Sequence, residues 1–130
     1  PVELNLSGNN TNYSDNSENF NIEVDEIKPI FISCGEFHTS FIDDKNCVYS
    51  YGKNTFGQLG TGDHFISCFP RKINLNEKVT LISCGGEHTI ALTSKNELYS
   101  WGLGIFGQLG LNSNKNFASP QKVLVYRTLN

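Results

Sequence analysis

The stretch Ile32–Thr39 (ISCGEFHT) is repeated fifty residues later as Ile82–Thr89 (ISCGGEHT). Further along the chain, Phe56–Gly60 (FGQLG) is repeated at the same spacing as Phe106–Gly110. Residues 32–73 and 82–123 share 18 identities in 42 positions, and the alignment needs no gap. Repetition at a fixed period of this length is typical of proteins built from tandem structural units. The sequence therefore predicts two copies of one unit.

Each copy contains short runs of residues that favour β-strands. In the second copy these runs are 79–84, 88–93 and 97–101, with a fourth near 121–126. They are rich in β-branched and aromatic residues, and glycine or asparagine turns separate them. Because no stretch sustains the 3.6-residue period of an amphipathic helix, the fold class predicted is all-β.

The middle strands of the second copy are apolar on both faces, since Ile90 and Leu92 alternate with Ala91. A sheet with one face in water would instead alternate apolar and polar residues. Four-stranded blades of a β-propeller are covered on both sides by their neighbours. We therefore expect a β-propeller fragment with about two four-stranded antiparallel blades and part of a third. A β-solenoid is the structural alternative, although its coils are usually shorter than this repeat.

The predicted boundaries follow the repeats. Residues 1–21 are expected to be a remnant of an upstream blade with a disordered Asn- and Ser-rich loop, because that loop has few apolar residues to bury. Residues 22–73 form the first propeller repeat, residues 74–126 the second, and residues 127–130 a tail. Since the sequence does not begin with Met, we expect it to be cut from a longer chain.

Three motifs recur in the same order in both copies: Cys-Gly-x-x-His-Thr, an aromatic residue before Gly, and Gly-Gln-Leu-Gly. Together they resemble the signature of the regulator of chromosome condensation repeats, over about residues 20–126. The resemblance implies a seven-bladed propeller in an intact domain, closed by chain outside this sequence. The signature positions, which we interpret as structural, are Cys34, Gly35, His38, Gly52, Gly57, Gly60, Cys84, Gly85, His88, Trp101, Gly102, Gly107 and Gly110.

The repeated cysteines and histidines could in principle bind zinc or form a Cys-His nucleophile. However, the Cys34/His38 and Cys84/His88 pairs belong to separate blades, and a packing device explains their duplication better than a catalytic thiol does. We expect these histidines to hydrogen-bond to backbone near the blade core. The four cysteines are predicted to be reduced and buried: Cys34, Cys47, Cys68 and Cys84.

A dinucleotide-binding pattern, Gly-x-Gly-x-x-Gly, is matched at residues 102–107. This motif needs a following helix and an acidic residue about 20 positions further on. The residues that follow do not favour a helix start, and Lys122 and Val123 occupy the acidic position. We therefore interpret the glycines as turns and expect no cofactor, no metal ion and no catalytic residue.

The overall charge narrows the classes of partner. With 10 basic and 13 acidic side chains the net charge is −3, which disfavours nucleic-acid binding because phosphate contacts rely on cationic side chains. No apolar run is long enough to cross a membrane, and no signal peptide is visible. We expect an intracellular protein of the cytoplasm or nucleus whose partners are other proteins.

Recognition is expected where the two copies differ, because loops on a repeated scaffold carry the variable contacts. Residues 61–69 and 111–119 share no identity. Candidate partner contacts are Lys53, His64, Phe65 and Phe69. The predicted function is a protein–protein interaction scaffold and not an enzyme. The resemblance implies one alternative, guanine-nucleotide exchange on a small, Ran-like GTPase by the intact propeller. Two blades leave two sheet faces uncovered, so we also expect the chain to self-associate through them.

Overall fold

The computed structural model describes residues 24–129, which contain eight β-strands and no helix. The strands form two antiparallel sheets, ordered β1-β2-β3-β4 and β5-β6-β7-β8. Their bounds are β1 Pro29–Cys34, β2 His38–Asp43, β3 Val48–Gly52, β4 Ser67–Lys72, β5 Val79–Cys84, β6 His88–Thr93, β7 Leu98–Gly102 and β8 Phe117–Val123. The predicted all-β class with two four-stranded blades is confirmed, whereas the upstream remnant in residues 1–21 lies outside the described residues. This part of the chain contains no helix that could span a membrane.

A tight turn joins the second and third strands of each sheet at equivalent positions of the two copies. Asn46 and Asn96 adopt the left-handed conformation there, with φ of 62° and 60°. Asparagine tolerates this conformation better than most residues. In the first sheet, the Asp43 carboxylate also accepts hydrogen bonds from the backbone N–H groups of Lys45 at 3.0 Å and Cys47 at 2.8 Å. Both turns therefore fix the register of the hairpins they close.

The strand positions agree with the sequence prediction except at the end of the second sheet. β5 and β6 have the predicted bounds, and β7 begins one residue later than expected. The fourth strand was wrongly predicted near residues 121–126, because its β-favouring side chains lie there. Instead, β8 begins at Phe117, which pairs with Gly102, and ends at Val123, which pairs with Leu98. Pro120 is tolerated because β8 is an outer strand with one unpaired edge.

The two sheets pack face to face around a shared apolar core. The first sheet contributes Ile42 and Val48, and the linker after it contributes Ile73. The second sheet contributes Val79, Ile82, Ala91 and Trp101. Each of these side chains is at most 3% exposed. The sheets are therefore adjacent blades, each of which covers one face of the other.

Candidate functional site

The repeated His-Thr and Gly-Gln-Leu-Gly motifs form hydrogen bonds between the two sheets. The Thr89 hydroxyl donates to the Gln58 carbonyl oxygen at 3.0 Å. Because this hydroxyl has one proton, it accepts from His38 Nε2, which lies 2.9 Å away. Trp101 Nε1 donates to the same Gln58 carbonyl at 3.0 Å. The signature residues of one blade thus bind those of the next.

His38 is a neutral donor in this contact. Its ring is 3% exposed, and burial lowers its pKa to about 4, with a further lowering by the nearby His88 and an opposing effect of Glu87. Its Nδ1 atom is buried without a hydrogen-bond partner. The predicted bond from His38 to backbone is therefore wrong: the ring binds a side-chain hydroxyl of the neighbouring blade. In the second sheet, burial likewise lowers the pKa of the less buried His88.

The cysteines are free, but none of them is fully buried: Cys34 and Cys68 are exposed, and Cys47 and Cys84 are half-buried. All four lie within residues 24–129, and none forms a disulfide. The Cys84 backbone N–H donates to Ser33 Oγ at 2.9 Å, and its thiol donates to the Ser33 carbonyl at 3.5 Å. Cys34, at the same position in the first sheet, is exposed, and so is Cys68 on the outer strand β4. The prediction that all four cysteines are buried is therefore wrong: two are exposed and two are half-buried.

The Cys and His pairs do not converge. Across residues 24–129, no group of three or more His, Cys, Asp or Glu side chains is placed to hold a metal ion. The two Cys-His pairs belong to different sheets, and His38 uses its Nε2 atom to bind Thr89. These residues are therefore arranged for packing and hydrogen bonding between blades.

The glycines of the Gly-Gln-Leu-Gly loop allow the blades to approach closely. Gly57 and Gly60 have φ of 81° and 73°, in the left-handed region that favours glycine. A Cβ atom on Gly60 would lie 2.6 Å from Trp101 Nε1, and one on Gly57 would overlap the backbone of Ala118. The other signature glycines lie at strand ends and in turns: Gly35, Gly52, Gly85, Gly102, Gly107 and Gly110.

Lys53 also takes part in the contact between the sheets. Its ammonium group lies 2.8 Å from Glu87 Oε1, and 5.5 Å from the ring centroids of Phe37 and Phe56. The ion pair and the two aromatic rings hold this side chain in place. The predicted partner contact at Lys53 is thus occupied by neighbours within the chain.

A hydrogen-bond network fixes the loop between β3 and β4. Arg71 donates to both oxygens of the Asp63 carboxylate, at 3.1 and 2.8 Å. These bonds are the main reason why the pKa of Asp63 is lowered to about 2. Asn54, 1% exposed, donates through Nδ2 to the carbonyl oxygens of Asp63 at 2.9 Å and Phe65 at 3.1 Å. The loop is therefore held in one conformation before any partner binds.

The end of this loop and the start of β4 present an apolar surface, which we call the 65–69 segment. Phe65, Ile66 and Phe69 are 74%, 73% and 63% exposed, and the neighbouring His64 is exposed as well. The equivalent positions of the second copy hold Lys115, Asn116 and Ser119. Two of the predicted contacts, Phe65 and Phe69, thus belong to one exposed apolar segment that occurs in the first copy alone.

Sequence reasoning missed Ile66 and the residues that hold the loop. Asn54, Asp63 and Arg71 are replaced in the second copy by Gly104, Ser113 and Gln121. The first copy has all three of these residues and the second copy has none of them. This joint difference is the sequence signal from which the network could have been predicted.

Comparisons with known proteins agree with this architecture. Two family models, both described as the regulator of chromosome condensation (RCC1) repeat, match residues 45–92 and 95–128, and residues 30–58 and 79–108. The probable E3 ubiquitin-protein ligase HERC6 of Homo sapiens is 37% identical over 59 residues, which are 45% of this chain and 6% of that protein.

Solved structures show the same fold. Human WBSCR16 is 32% identical with a TM-score of 0.67, over 75% of this chain and 26% of that one. Prp20p from Saccharomyces cerevisiae, reported with its binding properties to Gsp1p and histones, is 22% identical with a TM-score of 0.69. That match covers 78% of this chain and 26% of Prp20p. The chain therefore spans about a quarter of the structures it resembles. From the repeated motifs, the two blades and these matches, the chain belongs to the regulator of chromosome condensation repeat family.

Proposed function

We propose that this chain is part of a protein-interaction scaffold and that the 65–69 segment contacts another protein. The observation that carries the proposal is the exposure of Phe65 and Ile66, on a loop held by the Asp63–Arg71 and Asn54 hydrogen bonds, and of Phe69 in the adjoining strand β4. Contiguous exposed apolar surface marks interaction sites in soluble proteins, and large aromatic side chains contribute much of the binding free energy at interfaces.

The network beneath the loop supports this proposal. An ordered loop loses less conformational entropy on binding than a mobile one does, so more of the burial energy contributes to affinity. Asp63 uses both carboxylate oxygens on Arg71, and Asn54 holds the backbone on either side of His64. The three polar side chains thus stabilise the loop, and the apolar side chains remain free for a partner.

The double substitution Phe65→Ser/Ile66→Ser in the full-length protein tests the proposal. Partners are first identified by cross-linking in cells, and the affinity of each purified partner is then measured. We expect binding to weaken by at least about 30-fold, because two apolar side chains would no longer be buried. Tyr126→Ser is the matched control, since Tyr126 is 83% exposed and lies outside the segment. Equal affinities of the double variant and the wild type for every partner would refute the proposal.

Guanine-nucleotide exchange on a small GTPase is the second candidate for the intact propeller. Membership of the repeat family supports it, and residues 24–129 supply two blades of such a propeller. The assay is the release of labelled GDP from purified small GTPases, including Gsp1p, with and without the full-length protein. Faster release would favour exchange over a scaffold role.

The proposal includes an intracellular location, in the cytoplasm or nucleus. Free thiols support it, since Cys34 and Cys68 are exposed and unpaired. Exposed thiols persist best in compartments kept reducing by glutathione and thioredoxin.

A further inference from the structure

Two long loops lie at the same end of the two sheets. Residues 53–66 join β3 to β4, and residues 103–116 join β7 to β8. Because consecutive strands of each sheet are antiparallel, each loop lies at the same end of its sheet as the turn between the first two strands. Those turns are bonded to each other, since the Glu36 N–H donates to the Gly86 carbonyl at 2.9 Å. The two loops therefore open onto one common surface.

The first loop is in direct contact with the strand that follows the second loop. The Gly62 N–H donates to the Ala118 carbonyl at 2.8 Å, near the start of β8. Gly57 lies so close to Ala118 that a Cβ atom would overlap its backbone. A partner that covers the first loop is therefore within reach of the second.

The apolar side chains on this surface stand at positions that are exposed in both copies. Phe65 in the first loop is 74% exposed, and its equivalent Lys115 is exposed as well. Ile105 in the second loop is 57% exposed, and its equivalent Thr55 is exposed as well. The first copy packs against a sheet on one side, and the second copy packs against a sheet on the other. Exposure in both copies is therefore set by the position in the loop.

The second loop, like the first, is held in place by hydrogen bonds. The Gly104 N–H donates to Asn116 Oδ1 at 3.0 Å, and the Lys115 N–H donates to Ser113 Oγ at 3.1 Å. Gly104 also packs against the Lys115 carbonyl, which a Cβ atom would overlap. Because Ile105 follows Gly104 directly, the exposed Ile105 and Lys115 side chains are carried by adjacent stretches of backbone.

The charge that this surface offers a partner is that of Lys115. The two loops contain two further formal charges, on Lys53 and Asp63. Lys53 pairs with Glu87 at 2.8 Å. Asp63 pairs with Arg71 at 2.8 Å. Lys115 forms no ion pair in the part of the chain that the structure describes. An acidic group on a partner would therefore meet an unpaired cation, whereas a basic group would be repelled.

We propose that the partner of the 65–69 segment also covers Ile105 and Lys115, and that it is a protein segment with large apolar side chains beside an acidic one. This inference rests on the proposed function and deepens it, because it adds a second loop and the charge of the partner. The apolar side chains of the partner bury Phe65, Ile66 and Ile105, and its carboxylate pairs with Lys115. An apolar centre with a charged rim is the usual arrangement of a protein interface.

Random peptides displayed on phage are the probe, and they are selected on the immobilised full-length protein. Counter-selection on the Phe65→Ser/Ile66→Ser variant keeps the peptides that depend on the 65–69 segment. We expect these peptides to carry large apolar side chains with Asp or Glu next to them. Peptides that carry Lys or Arg in place of the acid would overturn the inference and leave the proposed function intact. If no peptide distinguishes the two proteins, the proposed function fails as well.

Two substitutions test the part played by the second loop. For a synthetic peptide from this selection, Ile105→Ser and Lys115→Glu should each weaken binding by about 10-fold at low salt. Added salt should weaken the binding of the wild type more than that of Lys115→Glu, because salt screens the ion pair. Leu124→Ser and Lys78→Glu are the matched controls, since both residues are exposed and lie at the opposite end of the sheets. Both controls should bind as the wild type does.

The results separate this inference from the proposed function. Wild-type affinity of both Ile105→Ser and Lys115→Glu, with the double variant still weakened, would overturn the inference alone. Apolar side chains beside a lysine also fit an anionic lipid surface, so co-sedimentation with vesicles of phosphatidylcholine and phosphatidylserine is measured too. We expect no vesicle binding by the 65–69 segment. Vesicle binding that the double variant loses would overturn the assignment to a protein partner.

Discussion

Replacing Thr89 by valine should remove two of the hydrogen bonds that join the two blades while keeping the shape of the side chain. Thr89 is fully buried, donates to the Gln58 carbonyl and accepts from His38 Nε2. In the variant the His38 ring must carry its proton on one of two buried nitrogens. Nδ1 has no partner either, so neither tautomer satisfies the N–H group. The substitution therefore leaves a buried donor unpaired in addition to removing two bonds.

The expected loss of unfolding free energy is about 3–5 kcal/mol. Each of the two hydrogen bonds contributes a net of about 1 kcal/mol, and the unpaired buried donor costs about 1–3 kcal/mol. With a urea m-value of about 1.5 kcal/mol/M, the unfolding midpoint should fall by about 2–3.3 M.

Thr39→Val is the matched control for this measurement. Thr39 is the equivalent residue of the first sheet, and its hydroxyl has a weak contact with the Cys34 thiol at 3.9 Å. We expect this control to lose about 0.5 kcal/mol or less. Both variants are compared by urea unfolding at concentrations low enough to keep the chain monomeric. Equal losses in the two variants would refute the reasoning.

Stability should depend on pH, because the folded pKa of His38 is about 4 and its ordinary value is 6.5. Between these values the unfolded chain binds more protons, so the urea midpoint should fall as the pH is lowered from neutral to about 4, and His38→Phe should flatten this slope. Gly57→Ala should lower the unfolding free energy by about 3 kcal/mol or more, because the new Cβ atom overlaps the next blade. Gly107→Ala should lower it by about 1 kcal/mol, through backbone strain alone. Equal losses of the two variants in thermal unfolding would contradict this expectation. Asp63→Ala should speed hydrogen exchange at the Phe65 amide by about tenfold or more, whereas Ser113→Ala at the equivalent position should leave that rate unchanged.

The architecture could be predicted from the sequence because the same pattern of strand-forming residues and turns occurs in both copies. Ile82 recurs as Ile32 and Tyr99 recurs as Tyr49 at equivalent strand positions. A motif that is duplicated without gaps places every strand of one copy on the other. The exception was β8. Its first residues, Phe117 to Pro120, lack a β-favouring run, and they are strand because β7 pairs with them.

The roles of His38, Trp101 and Gly57 could not be predicted, because each of them contacts a different blade from its own. The sequence places His38 beside Thr39, but its ring binds Thr89, 51 positions away. Cys84 likewise contacts Ser33 of the other sheet, whereas its equivalent Cys34 is exposed. The candidate site was found in part. Phe65 and Phe69 differ visibly from the second copy, whereas the network under them joins residues up to 17 positions apart, from Asn54 to Arg71.

The protonation state of the His38 ring tests most directly whether the signature residues connect blades. Long-range nitrogen–proton NMR spectra of the imidazole report which ring nitrogen carries the proton, and a pH titration gives the pKa. Our interpretation predicts a neutral ring protonated on Nε2, with a pKa of about 4. A ring protonated on Nδ1, or one that titrates near the ordinary value of 6.5, would contradict the contact with Thr89.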